Sequence, residues 1–277
     1  MDATEAALGP FPCLVAGRGP ALVYLAGLSP DVGVHNRAMR GPRLRLVAPF
    51  RDRRRVFYVN RRAGLPRGLT MAALAAEHAE AIRESFTPPV DVLGLSTGGS
   101  IAQQLAADHP DVVHRLVLVS SACRLGGDAR LLQRRVAARI RGGAYRQALA
   151  LLTSDQVPPG RGQLAAGGLA WLLGPRPFAS AAELRDMATT IEAEDGFDLA
   201  RCRRPVKGPT LIVAGADDRF YSRALFEETA KLIPDSSLML LPGRGHVTVL
   251  LDRAYAPSVS GFLDDAGAPR PGRRFCS

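Results

Sequence analysis

The 277-residue sequence predicts an α/β fold, a mostly parallel sheet flanked by helices. Three observations carry that prediction. Short runs at 90–93, 210–214 and 238–241, apolar but for Asp91 and Thr210, have the length of buried strands. Amphipathic stretches separate them, as parallel strands require for their crossovers. The run 90–93 also turns through Gly94-Leu95-Ser96-Thr97-Gly98 directly into a helix from Gly99 to about Ala107, where Ile101/Leu105 and Ala102/Ala106 stand four apart.

A serine framed by glycines between a strand and a helix is a candidate nucleophile. The sharp turn strains its backbone and exposes its hydroxyl at the carboxyl end of the sheet, and the glycines remove side chains that would collide across the turn. The hydroxyl still needs a base. Where a strand-turn-helix serine works in the chain order serine, acid, histidine, His246 alone among the five histidines follows both the turn and a plausible acid. It sits in the glycine-rich turn 242–246 after the run 238–241. The acid is expected after the strand 210–214, where Gly215-Ala216-Asp217-Asp218 follows. Asp218 is favoured to orient the imidazole and Asp217 is the alternative; the other is left to cap the helix expected over 221–232.

With these residues the chain resembles the α/β-hydrolase superfamily over about 14–263, and the resemblance orders the remaining elements. Residues 20–26 look like that family's third strand, 55–60 like its fourth, 70–86 like the helix before the serine turn and 115–121 like its sixth strand. Only 11–15 precedes the third strand, so a shortened amino-terminal edge is expected. Ala26-Gly27-Leu28 stands where the family usually carries a histidine-led oxyanion turn. Ala26 replaces that histidine, but the donors implied are the backbone N–H groups of Leu28 and Thr97, which the substitution leaves in place.

Between the sixth and seventh strands the family commonly inserts a lid, which here would be 124–205, with 1–123 and 206–265 forming the core. Residues 128–140 read as an amphipathic helix with Leu131, Leu132, Val136 and Ile140 on one face and Arg130, Arg134, Arg135 and Arg139 largely on the other. A second helix is expected over 144–152, a loop at 157–160, and a third helix over 179–194 with Leu184, Met187 and Ile191 inward. Trp171 and Phe178 are the candidates to line a substrate pocket. The tail 266–277, rich in Pro, Gly and Arg, is expected to be disordered.

Composition excludes several functions. Residues 1–12 lack the basic start and long apolar stretch of a signal peptide, and the most apolar later segment, 164–173, is short and glycine-broken, so no membrane span is expected. Four dispersed cysteines without a C-x-x-C pair fit reduced thiols in a cytoplasmic protein. The net charge of +10 rests almost wholly on arginine, Lys207 and Lys231 being the only lysines. Without repeats, a helix-turn-helix pattern or interleaved aromatics, it does not indicate a nucleic-acid partner. Gly17-Arg18-Gly19 lacks the third glycine of a dinucleotide turn, no lysine precedes Ser or Thr as in a phosphate loop, and His109 and His114 are spaced wrongly for a metal pair, so no cofactor or metal is expected.

The resemblance then implies a serine hydrolase acting on a small-molecule acyl substrate, a carboxylic ester or lactone, through an acyl-enzyme. Alternatives are a thioesterase served by an acyl carrier protein, which is not favoured, a cofactor-free perhydrolase, and a hydrolase-fold protein that binds without turnover. A serine at the turn argues against the aspartate-based alkyl-ester chemistry of related dehalogenases and epoxide hydrolases.

Overall fold

The computed structural model describes residues 3–155, 161–175 and 179–265. Its eight-stranded sheet runs in the order β1-β2-β4-β3-β5-β6-β7-β8. The strands are β1 (Ala3–Leu8), β2 (Phe11–Ala16), β3 (Ala21–Leu25), β4 (Arg55–Val59), β5 (Val90–Leu95), β6 (Val113–Val119), β7 (Thr210–Gly215) and β8 (Ser236–Leu241). From β4 to β8 every neighbouring pair is parallel, while β1–β2 and β2–β4 are antiparallel.

The central strands are buried on both faces because their side chains alternate between two cores. Val23, Leu25 and Val92 pack on one side against α2 (Met71–Ser85), α3 (Thr97–Asp108) and α8 (Arg223–Leu232). Leu22, Tyr24 and Leu93 pack on the other against α1 (Arg37–Val47) and α9 (Tyr255–Asp264).

The amino-terminal edge is not shortened, contrary to the expectation from sequence. The β1 strand, Ala-Thr-Glu-Ala-Ala-Leu, joins β2 through a two-residue loop at Gly9-Pro10, with Gly9 at φ +54°. Its exposed, alanine-rich sequence carries no strand signal, and pairing with β2 imposes the conformation. The helix α1 also gave no periodic signal. Gly41 and Pro42 lie within it, and the helix starts because the Asn36 side chain accepts from the Ala38 N–H.

Between β6 and β7 the described chain forms α4 (Gly127–Arg141), α5 (Tyr145–Asp155), α6 (Arg161–Leu173) and α7 (Ala181–Asp195), with an apolar cluster of their own around Val136, Ile140, Leu149, Leu184 and Met187. The helix α7 opens on a capping box between Ser180 and Glu183. Sequence reading passed over α6, which beyond its first turn carries only apolar residues and glycine and so shows no amphipathic period. The expected loop 157–160 and tail 266–277 lie outside the described residues. No helix among the described residues is long and apolar enough to cross a membrane.

One buried group makes stability depend on pH. His78 is 5% exposed, stacks on Phe11 with ring centroids 3.9 Å apart and donates from Nδ1 to the Leu74 carbonyl. Burial pushes its pKa down to about 4. A base depressed in the folded state contributes stability that is complete above its unfolded pKa near 6.5 and is lost as pH falls toward 4. Comparing urea unfolding of wild type and His78→Leu cancels the other titrating groups. The wild type is expected to lose about 3 kcal/mol more than the variant between pH 7 and pH 4. A pH-independent difference between the two would refute the assignment.

Candidate functional site

The β5–α3 turn shows why the glycines are needed. Ser96 sits at φ +51°, ψ −122°, a conformation that costs roughly 1–3 kcal/mol for a residue with a side chain. A Cβ on Gly94 would lie 2.5 Å from the Gly98 carbonyl oxygen, and one on Gly98 would lie 2.2 Å from the Leu25 oxygen. The turn closes only with glycine at both positions. The Ser96 N–H is held by the Val119 carbonyl at 2.9 Å, which fixes the strained residue to the end of β6.

Three side chains meet there in one hydrogen-bonded row. The Ser96 hydroxyl is 2.9 Å from His246 Nε2, and His246 Nδ1 is 2.9 Å from Asp218 Oδ2. Nδ1 faces a carboxylate and so carries the proton, which leaves Nε2 free to accept from Ser96. Asp218 is buried, and its other oxygen accepts the N–H groups of Phe220 at 2.8 Å and Tyr221 at 3.2 Å. One carboxylate therefore both caps the turn before α8 and orients the imidazole. Asp217, the alternative acid, is exposed; its backbone N–H donates to the Arg244 carbonyl and helps shape the histidine loop. Phe220 and Tyr221 flank the His246 ring, with centroids 4.7 Å and 5.9 Å away.

Thr97 directly follows Ser96, and Leu28 lies in the loop after β3, packed against the apolar cluster of α4, α5 and α7. Thr97 opens α3, so its N–H has no carbonyl of its own helix to bind, and the helix dipole puts partial positive charge at that end. A Cβ placed on Gly27 would come within 3.4 Å of the Ser96 Cβ, so the chain at Gly27 runs directly beside Ser96.

Trp171 is half exposed, with the Arg146 guanidinium over its ring. It lines a cleft of about 410 Å³ between α5 and α6, together with Leu151, Leu164 and Gly168; Ser96, Asp218 and His246 are not part of that lining. Phe178 lies outside the described residues. Two of the four arginines singled out on α4 spend their charge inside the insertion, since Arg130 and Arg134 both pair with Asp195. Among the described residues no group of three His, Cys, Asp or Glu side chains could hold a metal ion.

Sequence reading missed several groups that shape this site. The strained Ser120, φ +47°, ends β6 and donates its hydroxyl to the His246 carbonyl at 2.7 Å. Asn60 and Arg61, just past β4, hold the loop that follows Leu28. Asn60 Nδ2 donates to the Gly33 carbonyl at 2.8 Å, and the Arg61 guanidinium binds the carbonyls of Ser29 and Asp31. Burial pushes the Arg61 pKa down to about 10. Glu194 of α7 was read only as the end of a helix. It lies three residues beyond Ile191 and seven beyond Met187, on the apolar stripe, and a carboxylate on a buried stripe is a signal that it has partners.

Comparison with known proteins follows the same outline. Residues 22–257 match the model of the alpha/beta hydrolase family. A segment of polyketide synthase ThaQ from Burkholderia thailandensis is 30% identical over 275 residues; the alignment covers 91% of this chain, which spans 12% of the synthase's length. Among solved structures, a hydrolase from Pseudomonas aeruginosa PA01 superposes with a TM-score of 0.71 at 20% identity, covering 95% of this chain and 98% of its own. The enol-lactonase of Burkholderia xenovorans LB400 superposes with a TM-score of 0.69 at 21% identity, covering 95% and 100%. At such identities these two likenesses concern the fold.

Proposed function

Because this chain belongs to the alpha/beta hydrolase family, we propose that it is a serine hydrolase cleaving a small carboxylic ester or lactone through an acyl-enzyme. The observation that carries this reading is the Ser96–His246–Asp218 row, with both links at 2.9 Å. In the proposed reaction Ser96 Oγ attacks the acyl carbon as His246 Nε2 takes its proton. The tetrahedral oxyanion accepts the N–H groups of Leu28 and Thr97, and Asp218 stabilises the imidazolium. Collapse breaks the bond to the alcohol, which leaves with the proton from His246. Water, deprotonated by His246 in turn, attacks the acyl carbon and releases the acid and Ser96.

A second reading, hydrolysis of a carrier-bound acyl thioester, is favoured by the similarity to a segment of a polyketide synthase. The pairing of Arg130 and Arg134 with Asp195 leaves less positive charge on α4 to attract an acidic carrier protein.

A panel of a short neutral ester, a lactone, and a thioester on phosphopantetheine and on a carrier protein separates the two readings. The neutral ester or lactone is expected to have the highest kcat/KM, changing less than about twofold between low and high salt. A carrier thioester preferred more than tenfold at low salt, with the preference lost on Arg135→Gln/Arg139→Gln, would replace the first reading with the second. No turnover of any member and no covalent labelling of Ser96 would overturn both.

A further inference from the structure

The α7 helix reaches across the site with three carboxylates, Glu183, Asp186 and Glu194. At ~100° per residue they fall within about 80° of its circumference, and they span roughly 16 Å of its length. Each holds a different segment. Glu183 accepts the Val32 N–H at 3.1 Å, in the loop that follows Leu28. Asp186 accepts the Gly64 and Leu65 N–H groups, both at 2.9 Å, in the loop after β4. Glu194 reaches the first turn of α3, accepting the Thr97 hydroxyl at 2.8 Å and the Ser100 hydroxyl at 2.9 Å, and the Gln133 amide at 3.3 Å from α4.

Building on the serine-hydrolase reading, we propose that Glu194 is a positioning residue for the reaction: by binding the Thr97 and Ser100 hydroxyls together it fixes the first turn of α3, and with it the direction of the Thr97 N–H that receives the oxyanion. Glu183 and Asp186 hold α7 at two other points, so Glu194 is presented at a set height above that turn. Anchoring the insertion would not by itself call for a carboxylate here. Glu194 is 0% exposed, and burial pushes its pKa above the ordinary range despite three donors that pull it back. A leucine at 194 would extend the Leu184–Met187–Ile191 stripe without the cost of burying a charge. What the carboxylate adds is two directed bonds to the residues next to and one turn beyond Ser96. A first helical turn frays when nothing holds it, and a displacement of about 1 Å at an oxyanion donor costs on the order of 100-fold in rate.

The test uses p-nitrophenyl acetate turnover, inhibition by phenylboronic acid, whose tetrahedral adduct places an oxygen where the oxyanion forms, and thermal melts. Glu194→Ala and Thr97→Val, which keeps the backbone N–H, are each expected to lower kcat roughly 10- to 100-fold with KM within about twofold. Boronate affinity should fall in parallel. The double variant should be no slower than the worse single, because both changes break the same bond. Glu194→Gln is nearly isosteric, keeps one acceptor, and should lie between wild type and alanine; it carries the test if the alanine variant does not fold. Val259→Ala, on the far side of the sheet, controls for lost stability and should leave kcat unchanged. Folded Glu194→Gln and Thr97→Val variants turning over within twofold of wild type would overturn the proposal. So would additive losses in the double variant, or an equal loss of kcat in Val259→Ala at a comparable drop in melting temperature. Failure of wild-type Ser96 to react with a fluorophosphonate would instead refute the serine-hydrolase reading on which the proposal rests.

Discussion

Ser96→Ala is expected to lower turnover of an ester substrate by about six orders of magnitude and to abolish labelling by a fluorophosphonate. The reason is that, among the described residues, only one hydroxyl has all three requirements around it. Its base lies 2.9 Å away, the base is held in one tautomer by Asp218, and the first turn of α3 opens at the next residue. Removing the nucleophile of such a row leaves only the oxyanion donors and substrate binding, which is why the loss approaches that of removing the whole row. Alanine occupies the same strained φ, so the fold should survive and the melting temperature should move little. Peptide mapping of the labelled wild type, with kinetics on highly purified variant, decides the matter. A second labelled serine, or turnover of Ser96→Ala within about a hundredfold of wild type, would remove Ser96 from the mechanism.

Asp218→Asn is expected to cost about four orders of magnitude in kcat while Asp217→Asn costs less than about threefold. The asymmetry follows from the bonds of Asp218. An asparagine there can keep its oxygen on the Phe220 and Tyr221 N–H groups, so the turn is preserved. Its amide then presents N–H to His246 Nδ1, which must become the acceptor, and the imidazole proton moves to Nε2. His246 would face Ser96 with a proton where it needs a lone pair. Asp217 contributes a backbone N–H to the Arg244 carbonyl, and asparagine keeps it. Measuring kcat for both variants on the same ester settles the ranking. Equal losses would mean that the acid acts through the fold of the loop and not through the imidazole.

How far each residue could be read depends on the range of the forces that place it. The Ser96 turn was legible because its constraint is local: glycines at 94 and 98 are required by contacts across a single turn, and a strand pattern before it and a helix pattern after it say where the turn is. His246 was legible through chain order and the glycines around it. The choice between Asp217 and Asp218 was narrower. Both follow Gly215, and which carboxylate reaches the imidazole is set by how the chain turns over the Arg244 loop, where a Cβ on Gly215 would lie 2.2 Å from the Arg244 oxygen. The edge strand β1 and the helix α1 were not legible, since pairing and packing, not propensity, hold an alanine-rich strand and a helix containing Gly41-Pro42.

By itself, then, the sequence determined the α/β class, the strands and helices with clear periodicity, and the candidates Ser96 and His246, because hydrophobic period and turn sterics act within a few residues. Only the tertiary structure decided that Asp218 faces the histidine, that Asn60 and Arg61 hold the loop after Leu28, and that Glu194 grips Thr97 from 97 residues away. A hydrogen bond across that separation leaves no periodic trace in the chain. It exists because folding brings two buried polar groups together, and each is the partner that makes burying the other tolerable.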